Sequence, residues 1–322
     1  MEFHILTSNI TNPVLLFFIL GIIAARLKSD LEIPANSSKF ISLYLLFAIG
    51  FKGGQELAHS GFSLEIVYSL LFGLVIASFI PLYTFYILKK KLSISDAGAI
   101  AASYGSVSAV TFVAAISFLE IQNIVSDGYM VAVMALMESP AIIVGVILIM
   151  LYNKDTAGIE KVNLKSVIHH SFTNGSVVML LGSLIIGIIA DAKQAEGIKP
   201  FTTDIFKGFL AIFLLEMGMV TARRFSSFLK YGWFVSLFAI LIPALNGCVV
   251  AYISQYITSM DGNRFLFAVL AASASYIAVP AAMKLAAPKA DPGLYLPMAL
   301  GVTFPFNITI GMPLYLIIVN YS

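Results

Sequence analysis

Hydroxyl, glycine and proline residues interrupt two otherwise apolar stretches of this chain. Ala101-Ala102-Ser103 and Ala271-Ala272-Ser273 repeat one tripeptide 170 positions apart, from 101 to 271. Each tripeptide is followed by small, polar or turn-prone residues, at 104–108 in one stretch and at 274–280 in the other. Backbone groups inside a bilayer must be hydrogen-bonded within the protein. Paired weak points of this kind are therefore typical of broken helices around a central binding site in secondary transporters.

The two interruptions could together bind a small anion. Glycine lets a helix open, and the amides at the start of the following half-helix carry partial positive charge. If the two stretches cross as broken helices, their facing ends form one polar pocket in the membrane centre. Alternatively, the small residues only permit tight helix packing, with each serine bonded to its own helix. The candidate anion-binding residues are Ser103, Gly105, Ser106, Ser108, Thr111, Ser273, Ser275 and Tyr276.

Two acidic residues lie deep in apolar segments. Glu138 precedes Ser139-Pro140, and Glu216 lies within Leu215-Glu216-Met217. Intramembrane carboxylates are costly and usually functional, so each could bind a sodium ion or carry a proton. The alternative is a protonated glutamate that is hydrogen-bonded to a neighbouring helix.

Neutral oxygen atoms in the last apolar segment extend this candidate cation site. Thr303 and Asn307 flank Pro305, which frees a backbone carbonyl because proline lacks an amide hydrogen. Hard cations such as sodium bind such oxygens together with a carboxylate. Lys52 and Glu56, in contrast, are one helical turn apart and are expected to form an ion pair near a membrane boundary.

Composition restricts the class of protein. Of the 322 residues, 59% are hydrophobic and 11% are charged, whereas soluble domains have about 25% charged residues. The chain is therefore expected to be a multi-pass protein of the cell membrane. No P-loop, no Gly-x-Ser-x-Gly, no His-Glu-x-x-His and no Cys/His cluster is present. These absences argue against an enzyme, ATP-driven transport, a cofactor, and any bound metal other than sodium.

Ten hydrophobic segments emerge, which predicts an all-α membrane protein. Charges and turn residues separate the segments, and the longest connection, at 153–173, is short. We expect a first five-helix repeat at 1–152 and a second at 174–322. The segments are 12–26, 40–58, 65–88, 96–119, 129–152, 174–191, 203–223, 231–256, 263–287 and 293–319.

The distribution of basic residues predicts the orientation. Loops on one side hold four basic residues, namely Lys193, Lys199, Lys207 and Arg264. Because basic loops face the cytoplasm, the richer side is expected to be cytoplasmic and both termini to lie outside. The fourteen basic residues of this lysine-rich face are Arg26, Lys28, Lys39, Lys89, Lys90, Lys91, Lys154, Lys161, Lys165, Arg223, Arg224, Lys230, Lys284 and Lys289.

Further matches between the halves predict an internal repeat. Leu45-Leu46 with Gly50 in segment 2 corresponds to Leu214-Leu215 with Gly218 in segment 7, and Pro140 in segment 5 corresponds to Pro305 in segment 10. The offsets lie between 165 and 170 positions. Because each half has five segments, an odd number, the second half starts from the opposite side of the membrane and the repeats are inverted.

An ordered set of motifs is similar to those of a known family. The set consists of 46–54, Gly105-Ser106-Val107-Ser108 with Thr111, Met137-Glu138-Ser139-Pro140-Ala141, Met217-Gly218-Met219, Ala271-Ala272-Ser273-Ala274-Ser275, Ala290-Asp291-Pro292 and Gly311-Met312-Pro313-Leu314. The chain resembles the cyanobacterial sodium-dependent bicarbonate transporter family and its wider bacterial relatives. The resemblance covers most of the chain.

This resemblance implies a core domain and a gate domain, assembly as a homotrimer, and elevator-like movement of a small anion with sodium. It also implies that Val107 faces the anion together with its neighbours in segment 4 and with Ser273 and Ser275. A PII-like regulatory protein is a further partner in this family. The connection at 153–173 is shorter here than in the cyanobacterial proteins.

One departure from the family keeps other functions open. Relatives known for bicarbonate carry an aspartate followed by Ile-Ser-Gly-Pro-Pro, where this chain has Tyr276 followed by 277–281. The alternative is a proton-coupled carrier of an organic anion, of the bile-acid or auxin-carrier type, in which Glu138 or Glu216 carries the proton. An intramembrane enzyme or a scaffolding subunit would be a different class. An enzyme would need a nucleophile and a base in contact.

Overall fold

Apolar runs fold as helices because a helix satisfies its own backbone groups. The computed structural model describes residues 13–60, 63–152, 164–228 and 231–322, and no strand occurs among them. The helices are α1 (Pro13–Arg26), α2 (Ala35–Ser60), α3 (Leu64–Leu88), α4 (Ile94–Gly105), α5 (Ala109–Ile121), α6 (Met130–Tyr152), α7 (Leu164–Thr173), α8 (Gly175–Ile189), α9 (Phe206–Phe228), α10 (Trp233–Ile253), α11 (Asp261–Ala272) and α12 (Ala278–Ala286).

The last helical stretch, α13 (Pro292–Tyr321), is irregular. Two π-helical turns, Met298–Thr303 and Asn307–Gly311, lie on either side of the short α-helical turn Phe304–Phe306. Such wide turns are frequent at functional sites. Shorter helical turns precede α9 at Ala192–Ala195, Glu196–Ile198 and Pro200–Asp204, and another follows α10 at Ser254–Tyr256.

Six helical stretches among the described residues are long and apolar enough to cross a membrane. The hydrophobic segments of the sequence predict ten spans, and the difference between ten and six has identifiable causes. Segments 1 and 6 form shorter apolar helices, Leu15–Arg26 and Gly175–Ile189. Segment 2 forms α2, which carries Lys39, Lys52 and Glu56, and segment 9 is divided into α11 and α12. The six spans are Leu64–Leu88, Ile94–Ile121, Met130–Tyr152, Pro200–Arg223, Trp233–Tyr256 and Pro292–Tyr321.

The predicted connection at 153–173 is only partly a connection. Residues 153–163 lie outside the described residues, whereas 164–173 form α7. This helix packs against α6, α8 and α12. The connecting region therefore contacts the second half of the interrupted segment 9 as well as its sequence neighbours.

Two helix pairs pack backbone to backbone through glycines. In the α1–α9 pair, a Cβ atom at Gly218 would lie 2.1 Å from the Phe18 carbonyl oxygen. In the α2–α8 pair, a Cβ atom at Gly54 would lie 2.1 Å from the Leu184 carbonyl oxygen. Small residues allow this close approach in membrane proteins. These two pairs form one packing unit, and α3–α6 with α10–α13 form the rest of the fold.

Two hydrogen bonds at opposite ends of the fold mirror each other. Asp96 and Asn263, the third residues of α4 and α11, are 167 positions apart, from 96 to 263. The Asp96 Oδ1 atom accepts from the Asp291 amide at 2.8 Å, and the Asn263 Oδ1 atom accepts from the Asp127 amide at 2.8 Å. Each bond ties the start of an interrupted segment to the loop after the other interrupted segment.

We expect replacement of Asn263 by alanine to lower the free energy of unfolding by about 1–3 kcal/mol. Asn263 is fully buried. Its amide also donates to Asp127 Oδ2 at 2.7 Å and to the Tyr129 hydroxyl at 2.9 Å. The substitution therefore removes several buried partners at once. Thermal unfolding in detergent measures the effect, with the mirrored but less buried Asp96→Ala protein as the control. Equal losses in the two proteins would contradict the dependence on burial.

Candidate functional site

The first predicted interruption is present between α4 and α5. Helix α4 ends at Gly105, and Ser106 is extended with φ −83° and ψ 173°. Helix α5 begins at Ala109, and the Ser108 side chain accepts a hydrogen bond from the Thr111 amide at 3.2 Å. Serine is a favoured residue at this capping position. The hydroxyl run thus ends one half-helix and begins the next.

The second predicted interruption has the same form at its start. Helix α11 is 12 residues long, like α4, and it ends at Ala272. Ser273 is extended with φ −80° and ψ 167°, close to the values of Ser106. Helix α12 then begins at Ala278, but no side chain caps its amides because Ile277 precedes it.

The two interruptions contact each other directly. The Ser275 amide donates to the Ser103 carbonyl at 2.8 Å, and the Ser103 hydroxyl donates to the Ser275 carbonyl at 2.5 Å. The Ser108 amide donates to the Ser273 hydroxyl at 3.0 Å, and that hydroxyl donates to the Leu270 carbonyl at 2.8 Å. The four serines are buried. Each opened backbone therefore satisfies part of the hydrogen-bonding requirement of the other.

Some predicted residues of segment 4 serve packing in this structure. A Cβ atom at Gly105 would lie 2.2 Å from the Pro81 ring, so the missing side chain lets α3 approach α4. The Ser106 hydroxyl donates to the Glu138 carbonyl at 3.2 Å, which ties the interruption to α6. Val107 and Thr111 are buried beside it.

Helix α13 supports both broken helices. The Thr303 hydroxyl lies 2.7 Å from the Tyr104 hydroxyl in α4, and it donates to the Ala239 carbonyl at 2.8 Å. The Asn307 amide nitrogen donates to the carbonyl of Ala272, the last residue of α11, at 2.8 Å. The Asn307 Oδ1 atom accepts from the Tyr315 hydroxyl at 3.0 Å. Thr303 and Asn307, predicted as cation ligands, thus already have protein partners.

Tyr104 and Tyr315 do not stand out in the sequence. Both side chains are almost fully buried. A buried tyrosine hydroxyl requires a partner, but Tyr104 lies at the edge of the first interrupted run and Tyr315 lies outside both runs, so neither is singled out. Only the three-dimensional packing identifies Thr303 and Asn307 as their partners.

The two predicted acidic residues occupy different places. Glu138 is half-buried in α6, and its carbonyl contacts the first interruption through Ser106. Glu216 is half-buried in α9 beside Ser38, and its Oε2 atom makes no hydrogen bond of normal geometry with the described residues. The buried Tyr276 hydroxyl also makes none. No hydrogen bond joins either carboxylate to Thr303 or Asn307 among the described residues.

A large cavity reaches the second interruption. Its volume is about 970 Å³, and Tyr276 and Ile277 lie in its wall. The remaining wall comes from α2, α8, α9 and α13, and it includes Asn174 and Lys39, the latter being one of the residues of the predicted lysine-rich face. The wall is mainly apolar. The cavity therefore borders Tyr276 and Ile277, the two residues that immediately precede α12.

On the opposite face, ion pairs join three helices. Lys52 is predicted to pair with Glu56 in its own helix, but instead its Nζ atom lies 3.4 Å from Glu120 Oε1. The Lys207 Nζ atom lies 3.1 Å from Glu120 Oε2. Two smaller cavities, of about 250 and 400 Å³, flank this cluster. The sequence separation of 68 residues between Lys52 and Glu120 explains why local spacing misses the contact.

The arrangement can bind a small charged solute without an enzyme-like assembly. Opened helices present amide groups and carbonyl groups close together, and the amide end of a half-helix favours an anion. No group of three or more His, Cys, Asp or Glu side chains that could hold a metal ion occurs in the described part of the chain.

Comparison with known proteins gives one clear result. A family model described as the Na⁺-dependent bicarbonate transporter superfamily matches residues 13–320. No curated protein sequence matches the chain. The matched region includes both interruptions and every predicted site residue.

Proposed function

Because the chain belongs to the Na⁺-dependent bicarbonate transporter superfamily, we propose that it takes up bicarbonate together with sodium. Family membership and six long apolar helices indicate a multi-pass membrane protein. Within that class, the proposed cycle is secondary transport by elevator-like movement. The observation that carries this proposal is the direct contact between the two interruptions.

The contact between interruptions supports a substrate site at their crossing. Ser103, Ser108, Ser273 and Ser275 hold two opened backbones together. The amides at the start of α12 have no side-chain cap, and Tyr276 lies in front of them in the wall of the large cavity. A bicarbonate ion at this place would accept hydrogen bonds from amides and hydroxyls. The charge at a helix N-terminus favours such an anion.

The mirrored contacts support two inverted repeats, at 1–152 and 174–322. The Asp96–Asp291 and Asn263–Asp127 bonds are related by exchange of the halves. Each bond joins segments that the predicted ten-segment alternation places on the same side of the membrane. We assign α1, α2, α8 and α9 to a gate domain and the other helices, except the connecting α7, to a core domain. The two glycine-packed helix pairs of the gate domain would then form a rigid surface along which the core domain moves.

Sodium, as the co-transported ion, would bind oxygen atoms near the interruptions. Hard cations take carboxylate and carbonyl oxygens. Glu138 is adjacent to the first interruption through its carbonyl, so we propose its carboxylate as the charged ligand. Thr303 and Asn307 then position the broken helix ends, since their polar atoms already bond to α4, α10, α11 and Tyr315.

The proposed orientation places the lysine-rich face in the cytoplasm and both termini outside, in the plasma or inner membrane. The basic loops support this orientation. The large cavity towards the lysine-rich face would then be open to the cytoplasm. We also propose assembly as a homotrimer through the gate domain, and regulation by a PII-like protein at the cytoplasmic face.

Uptake by reconstituted protein tests the proposal. We expect proteoliposomes to accumulate labelled bicarbonate several times faster with an inward sodium gradient than with potassium in place of sodium. The reason is that the sodium gradient supplies the driving force of a symporter. Protein-free liposomes give the background. Equal uptake in the two media, at a fixed internal and external pH, would refute sodium coupling.

A second candidate function is favoured by the wall of the cavity. A cavity of about 970 Å³ with mainly apolar side chains exceeds what bicarbonate alone requires. A proton-coupled carrier of an organic anion would use this space, and Glu138 or Glu216 would carry the proton. Uptake of a labelled monocarboxylate that follows a pH gradient in sodium-free medium, and is lost in either the Glu138→Gln or the Glu216→Gln protein, would favour this function.

A further inference from the structure

Glu120 links two helices of the proposed gate domain to the proposed core domain. It lies near the end of α5, and its two carboxylate oxygens bind different partners. Lys52 in α2 contacts one oxygen at 3.4 Å, and Lys207 in α9 contacts the other at 3.1 Å. The three side chains are partly exposed, with 36% of the Glu120 side chain accessible. We call Lys52, Glu120 and Lys207 the outer cluster.

The outer cluster lies on the closed side of the molecule. The two cavities beside it are lined by residues such as Ile49, Ile116 and Lys52. Neither cavity has a wall residue from 106–108 or 273–277 among the described residues. The large cavity towards the lysine-rich face does reach Tyr276 and Ile277. The ion pairs therefore join core to gate on the side where the crossing is covered.

The proposed inverted repeat would place an equivalent cluster on the other face, but the equivalent sequence positions lack most of the charged residues that such a cluster needs. Offsets of 165–170 positions relate Glu120 to 285–290, which contain no acidic residue. The same offsets relate Lys52 to 217–222, which contain no charged residue. Of the three positions, only that of Lys207 has a charged counterpart of the same sign, Lys39. The outer cluster therefore has no complete equivalent on the other face, although the proposed repeats relate the two faces to each other.

From this asymmetry we propose that the outer cluster is a reversible latch that favours the inward-open arrangement. The proposal rests on the proposed elevator function, because the core must separate from the gate at Glu120 when the site opens outwards. Exposed ion pairs are individually weak, which suits a contact that must break in every cycle. The latch shifts the population of states by about threefold to tenfold.

Other acidic groups face this region without forming part of the latch. Asp204 lines the smaller cavity beside Lys207. Glu56 and Asp127 line the other cavity with Lys52. None of the three forms an ion pair within 4 Å among the described residues. Asp204 is therefore a matched control, since it has the same charge in the same cavity.

Side-specific labelling of single cysteines tests the latch in proteoliposomes of the full chain. Cys248, the single native cysteine, is replaced by serine. One reporter cysteine replaces Ser176 in the large cavity, and a second protein carries it at Ile116 beside the outer cavities. A membrane-impermeant maleimide is applied from either side. We expect Glu120→Gln to slow labelling at position 176 from the cytoplasmic side and to accelerate labelling at position 116 from outside, each by about threefold to tenfold.

Three further proteins separate the latch from a general effect of charge. Lys207→Gln should act in the same direction as Glu120→Gln, whereas Asp204→Asn should match the parent. The charge-swapped triple variant, Lys52→Glu with Glu120→Lys and Lys207→Glu, should restore the parental rates. Parental rates in both Glu120→Gln and Lys207→Gln would overturn the latch.

The same assay distinguishes failure of the latch from failure of the proposed function. In the parent, sodium with bicarbonate should change labelling at both reporters, because substrate binding shifts the two states. If substrate changes the rates but Glu120→Gln does not, only the latch is refuted. If neither changes the rates at either reporter, alternating access at this site is refuted together with the latch.

Discussion

Replacement of Ser273 by alanine is expected to reduce uptake at least about tenfold while the protein still inserts and purifies. The Ser273 hydroxyl accepts a hydrogen bond from the Ser108 amide at 3.0 Å, and alanine at position 273 leaves that buried amide without this partner. An unsatisfied buried donor costs about 1–3 kcal/mol, and each 1.4 kcal/mol is about tenfold in an equilibrium. The loss falls on the contact between the two interruptions, where the anion is proposed to bind. Initial uptake rates of labelled bicarbonate measure the loss.

Ser254→Ala is the matched control for this substitution. Ser254 is also buried, and its hydroxyl donates to a carbonyl three residues earlier at 3.1 Å, as the Ser273 hydroxyl does at 2.8 Å. Ser254 lies outside both interruptions, in the turn after α10. We expect its alanine variant to keep uptake close to the parental rate. Equal losses in the two variants would show that Ser273 acts through local helix stability alone.

Replacement of Gly218 by alanine is expected to have the largest effect on folding. A Cβ atom at Gly218 would lie 2.1 Å from the Phe18 carbonyl oxygen and 3.0 Å from the Ile22 amide nitrogen. Both are backbone atoms of α1, so neither can move aside by changing a side-chain rotamer. Helices α1 and α9 must therefore separate. Such overpacking lowers the free energy of unfolding by about 1–3 kcal/mol or more. We therefore expect a reduced yield and a lower unfolding temperature in detergent.

Gly208 offers a control in the same helix. A Cβ atom there would meet nothing within 4 Å, so Gly208→Ala adds a methyl group to open space. Alanine in place of glycine stabilises a helix by about 0.5–1 kcal/mol. We expect the unfolding temperature to stay the same or to rise slightly. A decrease for Gly208→Ala equal to that for Gly218→Ala would indicate a general intolerance of α9 and contradict the close-packing explanation.

The interruptions were predictable because they break a strong local rule. Small and hydroxyl residues within an apolar run oppose a continuous helix, and the duplicated tripeptide indicates that both halves share the feature. Their mutual contact was also predicted, since open backbone in a membrane needs partners. The bonds among Ser103, Ser108, Ser273 and Ser275 confirm this prediction.

The side-chain partners at the site were less predictable. Thr303 and Asn307 are recognisable as polar residues in an apolar segment, but the sequence does not reveal whether a cation or a protein group uses them. Tyr104 and Tyr315 occupy their oxygens because three segments meet there. Likewise, sequence spacing predicts Glu56 as the ion-pair partner of Lys52, yet tertiary packing brings Glu120 into contact with Lys52.

The two mirrored hydrogen bonds, of Asp96 and of Asn263, could be predicted only in part from the sequence. Asp96 and Asn263 differ in residue type, so no identity marks them as equivalent. Their shared position as the third residue of a 12-residue helix emerges once the helix boundaries are known. The ten-segment count stays a prediction, since six helical stretches among the described residues are long and apolar enough to span, while α2 is charged and segment 9 is broken.

The reciprocal bonds between Ser103 and Ser275 make each interruption depend on the other for part of its backbone hydrogen bonding. Ser275 takes part through its backbone amide and carbonyl, so a side-chain substitution there keeps both bonds, whereas a substitution of Ser103 removes the hydroxyl that satisfies the Ser275 carbonyl. The contacts of Glu120 with Lys52 and Lys207, in contrast, are made entirely by charged side chains. The crossing is therefore held largely by backbone groups that every non-proline residue carries, while the ion pairs at Glu120 persist only as long as the charged side chains are kept.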